Sequence, residues 1–164
     1  MKAVNFLGLN VEYSKARAVI LPVPYEGTVT YGKGTANGPR AIIEASKNIE
    51  LYDEELNVGI AEKIGIYTLK ELDVKKDKPE VMLEKVKKAV KDIVDGKKMP
   101  VIIGGEHSIS SAPVGVLKEK YPDLSVLQLD AHSDLRNEYN GTIYSHACVM
   151  HRILDLNVPF VQVG

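Results

Sequence analysis

The sequence predicts one α/β domain in which helices pack on both faces of a mostly parallel sheet, a three-layer α/β/α arrangement. Short apolar runs, typical of strands buried on both faces, alternate along the chain with segments of helical periodicity. Strands that alternate with helices are joined by right-handed crossovers, which makes them parallel. The length of 164 residues suits a single domain over residues 1–164.

The first elements are a strand, a long loop and a helix. Residues 18–21 are wholly apolar and are followed by Pro22 and Pro24, which indicates a buried strand. Residues 25–38 contain four glycines and are predicted to form a long irregular loop. Pro39 then stands where the first turn of a helix tolerates proline, so a helix is predicted from there.

The middle of the chain has the clearest helical pattern. Residues 64–67 predict a short strand. From Pro79, apolar residues recur at helical spacing with charged residues between them, which predicts an amphipathic helix that ends at Gly96. Residues 100–103 form an apolar run that predicts the next buried strand.

Two further pairs of elements complete the alternation. A helix is predicted over residues 108–121, although its proline and glycine disfavour it, and a strand over residues 124–129. A second helix is predicted over residues 145–156, and a last strand over residues 158–163.

Composition and charge exclude several classes of protein. The formal charge of −1 leaves no basic surface for nucleic acid or for an anionic membrane. No apolar run reaches the roughly 18 residues of a membrane span, and the first residues lack the apolar stretch of a signal peptide. A lone cysteine, Cys148, allows no internal disulfide, which fits a protein of the reducing cytoplasm.

The polar residues that can carry chemistry follow two successive strands. His107 comes after the strand at 100–103, and the D-x-H-x-D segment at 130–134 follows the strand at 124–129. In parallel sheets, ligands bind at the carboxyl ends of strands. An extended D-x-H-x-D segment would place Asp130, His132 and Asp134 on one side, and their buried negative charge would require a cation.

The residue types favour a particular metal. Two carboxylates and two imidazoles without a thiolate suit Mn²⁺ better than structural zinc. We expect Asp130 to bridge two ions, with His107 and Asp134 completing the shell of one ion and His132 serving the other. Two such ions can lower the pKa of a shared water to about 7.

Less specific interpretations remain open for each motif. The D-x-H-x-D segment could be an exposed polar loop, and the glycine pair before His107 could mark a helix start that binds an anion. Glu106 could orient an imidazole or could be a helix N-terminal acid. A binuclear phosphoesterase also remains open, although only Arg136 lies near the cluster to hold a phosphate. His146 alone could serve packing or capping.

Two motifs resemble those of the ureohydrolases, the family of arginase and agmatinase: GGEHS at residues 104–108 and DAHSD at residues 130–134. GTANGPRAI at residues 34–42 resembles the family segment G-T-x-x-G-P-x-x-I. Residues 134–147 are most similar to those of archaeal and bacterial agmatinases. The resemblance covers nearly the whole chain and implies an arginase/deacetylase-like fold.

The resemblance also implies roles and a reaction. It makes His107, Asp130, His132 and Asp134 ligands of two manganese ions, and His146 the catalytic residue that transfers a proton to or from the leaving amine. The implied reaction hydrolyses a guanidino substrate to urea and an amine. The expected substrate is agmatine, whose amine product is putrescine, and this would place the enzyme in polyamine synthesis.

Other members of the family leave alternatives open. Relatives that act on arginine, guanidinobutyrate or formiminoglutamate share these segments. Because relatives form trimers or hexamers, a homo-oligomer is expected.

One departure from the family pattern limits these expectations. Ureohydrolases carry a second acidic cluster, S-x-D-x-D-x-x-D-P, in a C-terminal half, and residues 135–164 contain no acids besides Glu138 and Asp155. We therefore expect the N-terminal part of a catalytic domain, truncated at its C-terminus, with little turnover by itself. Alternatively, the chain is a non-catalytic piece that folds with a partner chain. The substrate-binding residues stay unassigned.

Overall fold

The computed structural model describes residues 5–164, apart from the side chain of Glu62. Residues 1–4, on which the expectation of no signal peptide rests, lie outside the described residues. In chain order the elements are β1 (Ala18–Val23), α1 (Gly38–Ala45), β2 (Tyr52–Asp53), β3 (Val58–Gly59), α2 (Ile60–Ile64), β4 (Ile66–Thr68), α3 (Pro79–Asp95), β5 (Met99–Gly104), α4 (Ser111–Lys120), β6 (Val126–Leu129), α5 (Val149–Asp155) and β7 (Phe160–Val163).

Strand β1 is the centre of a three-stranded parallel sheet of order β4-β1-β5. Its register with β5 runs from Ala18 opposite Met99 to Val23 opposite Gly104. Alternate side chains of β1 enter a core shared with α3, and Ile20 and Pro22 on the other face are buried as well, which accounts for the apolar run seen in the sequence. The fully buried members of the core shared with α3 are Val19, Leu21, Val23, Tyr25, Val74, Met82, Val86 and Val90.

Helices cover both faces of this sheet, as the sequence predicted. Helix α3 begins at Pro79, ends at Asp95 before Gly96, and packs against α4. On the other face, α1 contacts β1 and β5 and buries Ile43. No helix within residues 5–164 combines the length and the apolar composition that crossing a membrane requires.

Strands β6 and β7 form a second, two-stranded parallel sheet, and within the described residues neither strand pairs with β5. Helix α5 packs on one face of this sheet through Val149, Met150 and Ile153. The other face is open: Leu127 opposite Val161 and Leu129 opposite Val163 are 64%, 62%, 74% and 55% exposed. The expectation of one sheet covered on both faces is therefore met by the first sheet and not by the second.

Several local boundaries differ from the sequence prediction. The helix expected over residues 108–121 starts as a 3-10 turn, His107–Ser110, before α4, and the strands expected over 124–129 and 158–163 begin at Val126 and Phe160. The strand expected over residues 64–67 begins at Ile66, because Ile64 ends helix α2 and Gly65 adopts a left-handed conformation with φ +68°. A Cβ at Gly65 would lie 3.1 Å from the Lys15 carbonyl oxygen, closer than an ordinary contact, and the positive φ would strain any other residue, so glycine is favoured there. The helix expected over residues 145–156 starts as a 3-10 turn, His146–Cys148, before α5.

The two faces of the second sheet predict opposite responses to truncation. Replacing Ile153, which is 1% exposed beneath β6 and β7, with alanine should lower the free energy of unfolding by about 2–5 kcal/mol, since it leaves a cavity. Leu127→Ala on the open face should change it by no more than about 0.5 kcal/mol. Urea denaturation of both variants measures the difference. An equal loss in Leu127→Ala would mean that this face is covered in solution.

Candidate metal centre

The first arm of the site is set by how β5 ends beside β1. The Gly105 amide donates to the Val23 carbonyl (3.1 Å), and the Glu106 amide donates to the Tyr25 carbonyl (3.0 Å). A Cβ at Gly105 would lie 2.1 Å from the Tyr25 carbonyl oxygen, so this close approach requires glycine. A 3-10 turn, His107–Ser110, follows at once, and it places His107 at the carboxyl edge of the sheet.

The second arm is the loop that follows β6. The Asp130 amide still pairs with the Val163 carbonyl (3.0 Å), but the Asp130 carboxylate accepts a hydrogen bond from the His132 amide (2.9 Å) and bends the chain. Asp134 then adopts a left-handed conformation with φ +49°. Its carbonyl accepts a hydrogen bond from the Met150 amide (3.1 Å), which ties this loop to the start of α5.

These two arms bring three of the four expected ligands together. The His107 Nδ1 atom lies 2.7 Å from Asp134 Oδ2 and 3.4 Å from Asp130 Oδ2. One ligand atom from each residue falls within 4.8 Å of the other two, and all three residues are partly buried. One imidazole nitrogen and two carboxylate oxygens, without sulfur, fit a divalent ion of the Mn²⁺ or Zn²⁺ type.

The electrostatics of the cluster favour an ionised ligand at Asp130. The backbone N–H of His132, with a smaller contribution from the nearby His107, holds the pKa of the Asp130 carboxyl below its usual range. This carboxylate therefore stays charged at neutral pH and is available to a cation.

His132 lies outside the cluster. Its side chain is 82% exposed, and its Nδ1 atom is 3.5 Å from Asp130 Oδ1. The sequence argument assumed an extended segment, in which every second residue points the same way. The bend at Asp130 and the left-handed conformation of Asp134 break that alternation, so the His132 side chain does not join His107, Asp130 and Asp134 in the cluster. Its role as a ligand of a second ion stays a prediction.

His146 lies in a 3-10 turn that packs against the turn carrying His107. Its ring nitrogens contact two hydroxyls of the 25–38 loop, with Nδ1 3.3 Å from Thr28 Oγ1 and Nε2 3.2 Å from Thr30 Oγ1. The edge of Tyr139 packs on the ring, with 5.8 Å between centroids. The sequence analysis missed both threonines, because single hydroxyls in a glycine-rich loop form no motif.

Glu106 is a buried acid whose role the sequence left open. Its carboxylate caps the 3-10 turn by accepting from the Ser108 amide (2.8 Å) and hydroxyl (3.0 Å), as an acid at the N-terminus of a helical turn does. It also accepts from the amide and the hydroxyl of Thr28, at 3.2 Å and 2.7 Å. Among its side-chain hydrogen bonds none goes directly to an imidazole.

A second acid, Glu26, holds the 25–38 loop in shape. Its Oε2 atom accepts from the amides of Gly34 (2.8 Å) and Ala36 (3.1 Å) and from the Thr35 hydroxyl (3.4 Å). The two backbone amides hold the pKa of the Glu26 carboxyl below its usual range. This residue also carried no recognisable sequence signal.

The lone cysteine has a structural role. Cys148 is fully buried between the 3-10 turn and α5, and burial raises the pKa of its thiol. A buried thiol with a raised pKa is a poor nucleophile, so it serves as a small core residue.

Comparison with known sequences finds one family and a consistent set of relatives. The model of the arginase family matches residues 16–164. The N(1)-aminopropylagmatine ureohydrolase of Synechocystis sp. is 37% identical over 157 residues, which are 93% of this chain and 51% of that protein. The agmatinase of Pyrococcus horikoshii is 36% identical over 156 residues, which are 94% of this chain and 53% of that protein.

A solved structure agrees with these relatives. The agmatine ureohydrolase of Thermoplasma volcanium superposes with a TM-score of 0.81 and 32% identity, and the match covers 88% of this chain and 48% of that one. The fold class predicted from the sequence is therefore confirmed. The chain spans about half the length of the curated relatives it matches.

The three-residue cluster predicts metal-dependent stability. A divalent ion bound there at a hundred times its dissociation constant should raise the free energy of unfolding by about 2.7 kcal/mol. Millimolar Mn²⁺ should therefore raise the melting temperature of the chain, and Asp134→Asn should remove most of that rise. Asp123→Asn, which removes the same charge from an exposed acid outside the cluster, is the control. An equal rise in Asp134→Asn would place the bound ion elsewhere.

Protonation of Glu26 should loosen the 25–38 loop. The folded-state pKa of Glu26 lies below the ordinary value of about 4.3. The stabilisation that its ionised carboxylate gives to the loop is therefore present above that value and is lost as the pH falls through the folded-state pKa. Amide exchange by NMR, corrected for its intrinsic pH dependence, should show Gly34 and Ala36 losing protection over that range. Glu26→Gln should lower their protection at neutral pH as well. Glu44→Gln, which alters an exposed ion pair with Lys47, should not.

Proposed function

We propose that this chain, which belongs to the arginase family, carries part of a metal-dependent centre that hydrolyses a guanidino compound to urea and an amine. The observation that carries this proposal is the convergence of His107, Asp130 and Asp134 at the carboxyl ends of β5 and β6. Hydrolysis of a guanidine at neutral pH needs an activated water and a proton donor for the leaving amine. The segments that follow β5 and β6 carry the candidate metal ligands, and the turn of His146, the candidate proton donor, packs against the turn of His107.

The proposed metal is manganese, two ions in the complete centre. His107 and Asp134 would hold one ion, Asp130 would bridge to the second, and His132 would bind the second ion. The largely exposed His132 ring is free to turn toward an ion beside Asp130, whose Oδ1 atom is 3.5 Å away. Two bound ions supply the Lewis acidity that makes hydroxide available near neutral pH.

His146 is the proposed proton carrier. An imidazole with an unperturbed pKa of about 6.5 can accept and release a proton near neutrality. Its turn packs against the turn of His107, and the hydroxyls of Thr28 and Thr30 and the ring of Tyr139 hold the orientation of the imidazole.

Two guanidino substrates are proposed, in order. Agmatine, which would give urea and putrescine, is the first. The resemblance at residues 134–147 favours it, and so do the agmatinase of Pyrococcus horikoshii and the agmatine ureohydrolase of Thermoplasma volcanium. N(1)-aminopropylagmatine is the second, because it is in the name of the Synechocystis relative at 37% identity. Either reaction would place the enzyme in polyamine synthesis, and the buried free Cys148 suits the cytoplasm as its location. A homo-oligomer of three or six chains stays a prediction.

The complete centre is proposed to need polypeptide outside these 164 residues, as a continuation of the chain or as a partner chain. The chain spans about half of its relatives, and the face formed by Leu127, Leu129, Val161 and Val163 is an apolar surface without a covering layer in the described residues. Exposed apolar surface of this kind marks a site of protein contact. The family resemblance implies that the missing C-terminal half would supply further acidic ligands.

Urea release tests both parts of this proposal. The 164-residue chain with added Mn²⁺ should release little or no urea from agmatine, N(1)-aminopropylagmatine, arginine or guanidinobutyrate. The protein encoded by the natural reading frame, together with any partner chain that co-purifies, should release urea from one of the first two. Asp134→Asn in that protein should remove the activity.

Two results would contradict the proposal. Full activity of the 164-residue chain alone would show that no further polypeptide is needed. Hydrolysis of phosphate esters without urea release by the complete protein would assign the centre to a different hydrolase.

A further inference from the structure

The hydroxyl of Thr28 lies at the centre of a hydrogen-bonded group that joins three distant parts of the chain. Its Oγ1 atom is 2.7 Å from Glu106 Oε1, 3.0 Å from the His146 amide nitrogen and 3.3 Å from His146 Nδ1. Thr28 and His146 are 118 residues apart. The group therefore exists only because the 25–38 loop passes between the turns of His107 and His146.

The directions of these hydrogen bonds follow from counting protons. Both carboxylate oxygens of Glu106 accept from backbone amides, Oε1 from Thr28 and Oε2 from Ser108, so this carboxylate acts as an acceptor. A threonine hydroxyl has one proton and two lone pairs. The proton of Thr28 therefore goes to Glu106, and its lone pairs accept from the amide and from Nδ1 of His146.

This arrangement favours one tautomer of His146. Because Thr28 can only accept from the ring, a proton on Nδ1 makes a hydrogen bond where an unprotonated Nδ1 would face an oxygen lone pair, and in a neutral imidazole Nε2 is then the unprotonated nitrogen. The Ser145 hydroxyl, 3.3 Å from Nδ1, can accept the same proton. On the other side of the ring, the Thr30 hydroxyl (3.2 Å) can donate to Nε2, and Thr30 is exposed, so a substrate or water can take its place.

We propose that Thr28, oriented by Glu106, is a positioning residue that holds His146 in the tautomer with Nε2 as its basic nitrogen. This inference rests on the proposed function of His146 as a proton carrier. In that role Nε2 accepts a proton, giving an imidazolium, and releases the same proton to the nitrogen of the departing amine. Nδ1 keeps its proton throughout, so the bond to Thr28 holds the ring in place in both charge states.

The tautomer can be measured without any enzymatic assay. Two-dimensional NMR that correlates the ring nitrogens with the carbon-bound ring protons of ¹⁵N-labelled protein distinguishes the protonated from the unprotonated nitrogen. It is recorded near pH 8, where an ordinary imidazole is neutral. The chain has four histidines, and the set of ring signals that disappears in His146→Gln is the set that belongs to His146. The wild-type chain should show the proton on Nδ1 of His146.

Three variants separate positioning from simple packing. Thr28→Val keeps the shape of the side chain but removes the hydroxyl, and should shift His146 toward a mixture containing the Nε2–H tautomer. Thr28→Ser restores the hydroxyl and should restore the wild-type signals. Thr30→Val removes the hydroxyl on the other side of the ring and should leave the proton on Nδ1.

The result that would overturn the inference is a proton on Nε2 of His146 in the wild-type chain, or a Thr28→Val spectrum identical to the wild type. Since these spectra need neither metal nor substrate, they stay informative if the proposed reaction is wrong. In the complete enzyme, Thr28→Val should lower kcat at least tenfold with little change in KM, because it alters the proton carrier and not the binding of substrate. Thr28→Ser should recover most of that loss.

Discussion

The parallel pairing of β1 with β5 is the constraint from which the rest of the site follows. Their register ends with Val23 opposite Gly104, and two further hydrogen bonds, from the amides of Gly105 and Glu106, carry it beyond the strands. The segments that leave the two strands therefore start side by side. One becomes the loop with Thr28 and Glu26, and the other becomes the turn with Glu106 and His107, which is why Glu106 can bind Thr28 directly.

The acidic half of the cluster reaches His107 by a different route. Asp130 and Asp134 belong to the second sheet and its helix α5, and no strand pairing within the described residues joins that sheet to the first. Helix α4 makes the connection, since it packs against both α3 and α5. The 2.7 Å contact between His107 and Asp134 therefore depends on helix packing, which tolerates small shifts more readily than a register of hydrogen bonds does.

Prediction from the sequence succeeded where a local pattern had a local cause. Helix α3 begins at Pro79 and ends before Gly96 because the apolar period and both terminal signals lie within the helix itself. The start of the strand expected over residues 64–67 was misplaced because the positive φ of Gly65 goes with its close approach to the Lys15 carbonyl oxygen, which is distant in sequence. The D-x-H-x-D segment is bent and not extended for a local reason, since the Asp130 carboxylate accepts from the His132 amide and turns the chain, which an alternating pattern of residue types does not reveal.

The sequence by itself determined the α/β class, the alternation of the longer strands and helices and the residue types able to bind a metal, because periodicity and strand ends are properties of neighbouring residues. The short elements β2, β3 and α2 carried no such signal. Only the tertiary structure decided which of these side chains meet. It brought His107, Asp130 and Asp134 together, left His132 outside, and placed Thr28 against His146 across 118 residues. Contacts between residues so far apart in sequence depend on tertiary packing and on the direction of hydrogen bonds, and neither produces a periodic pattern in the sequence.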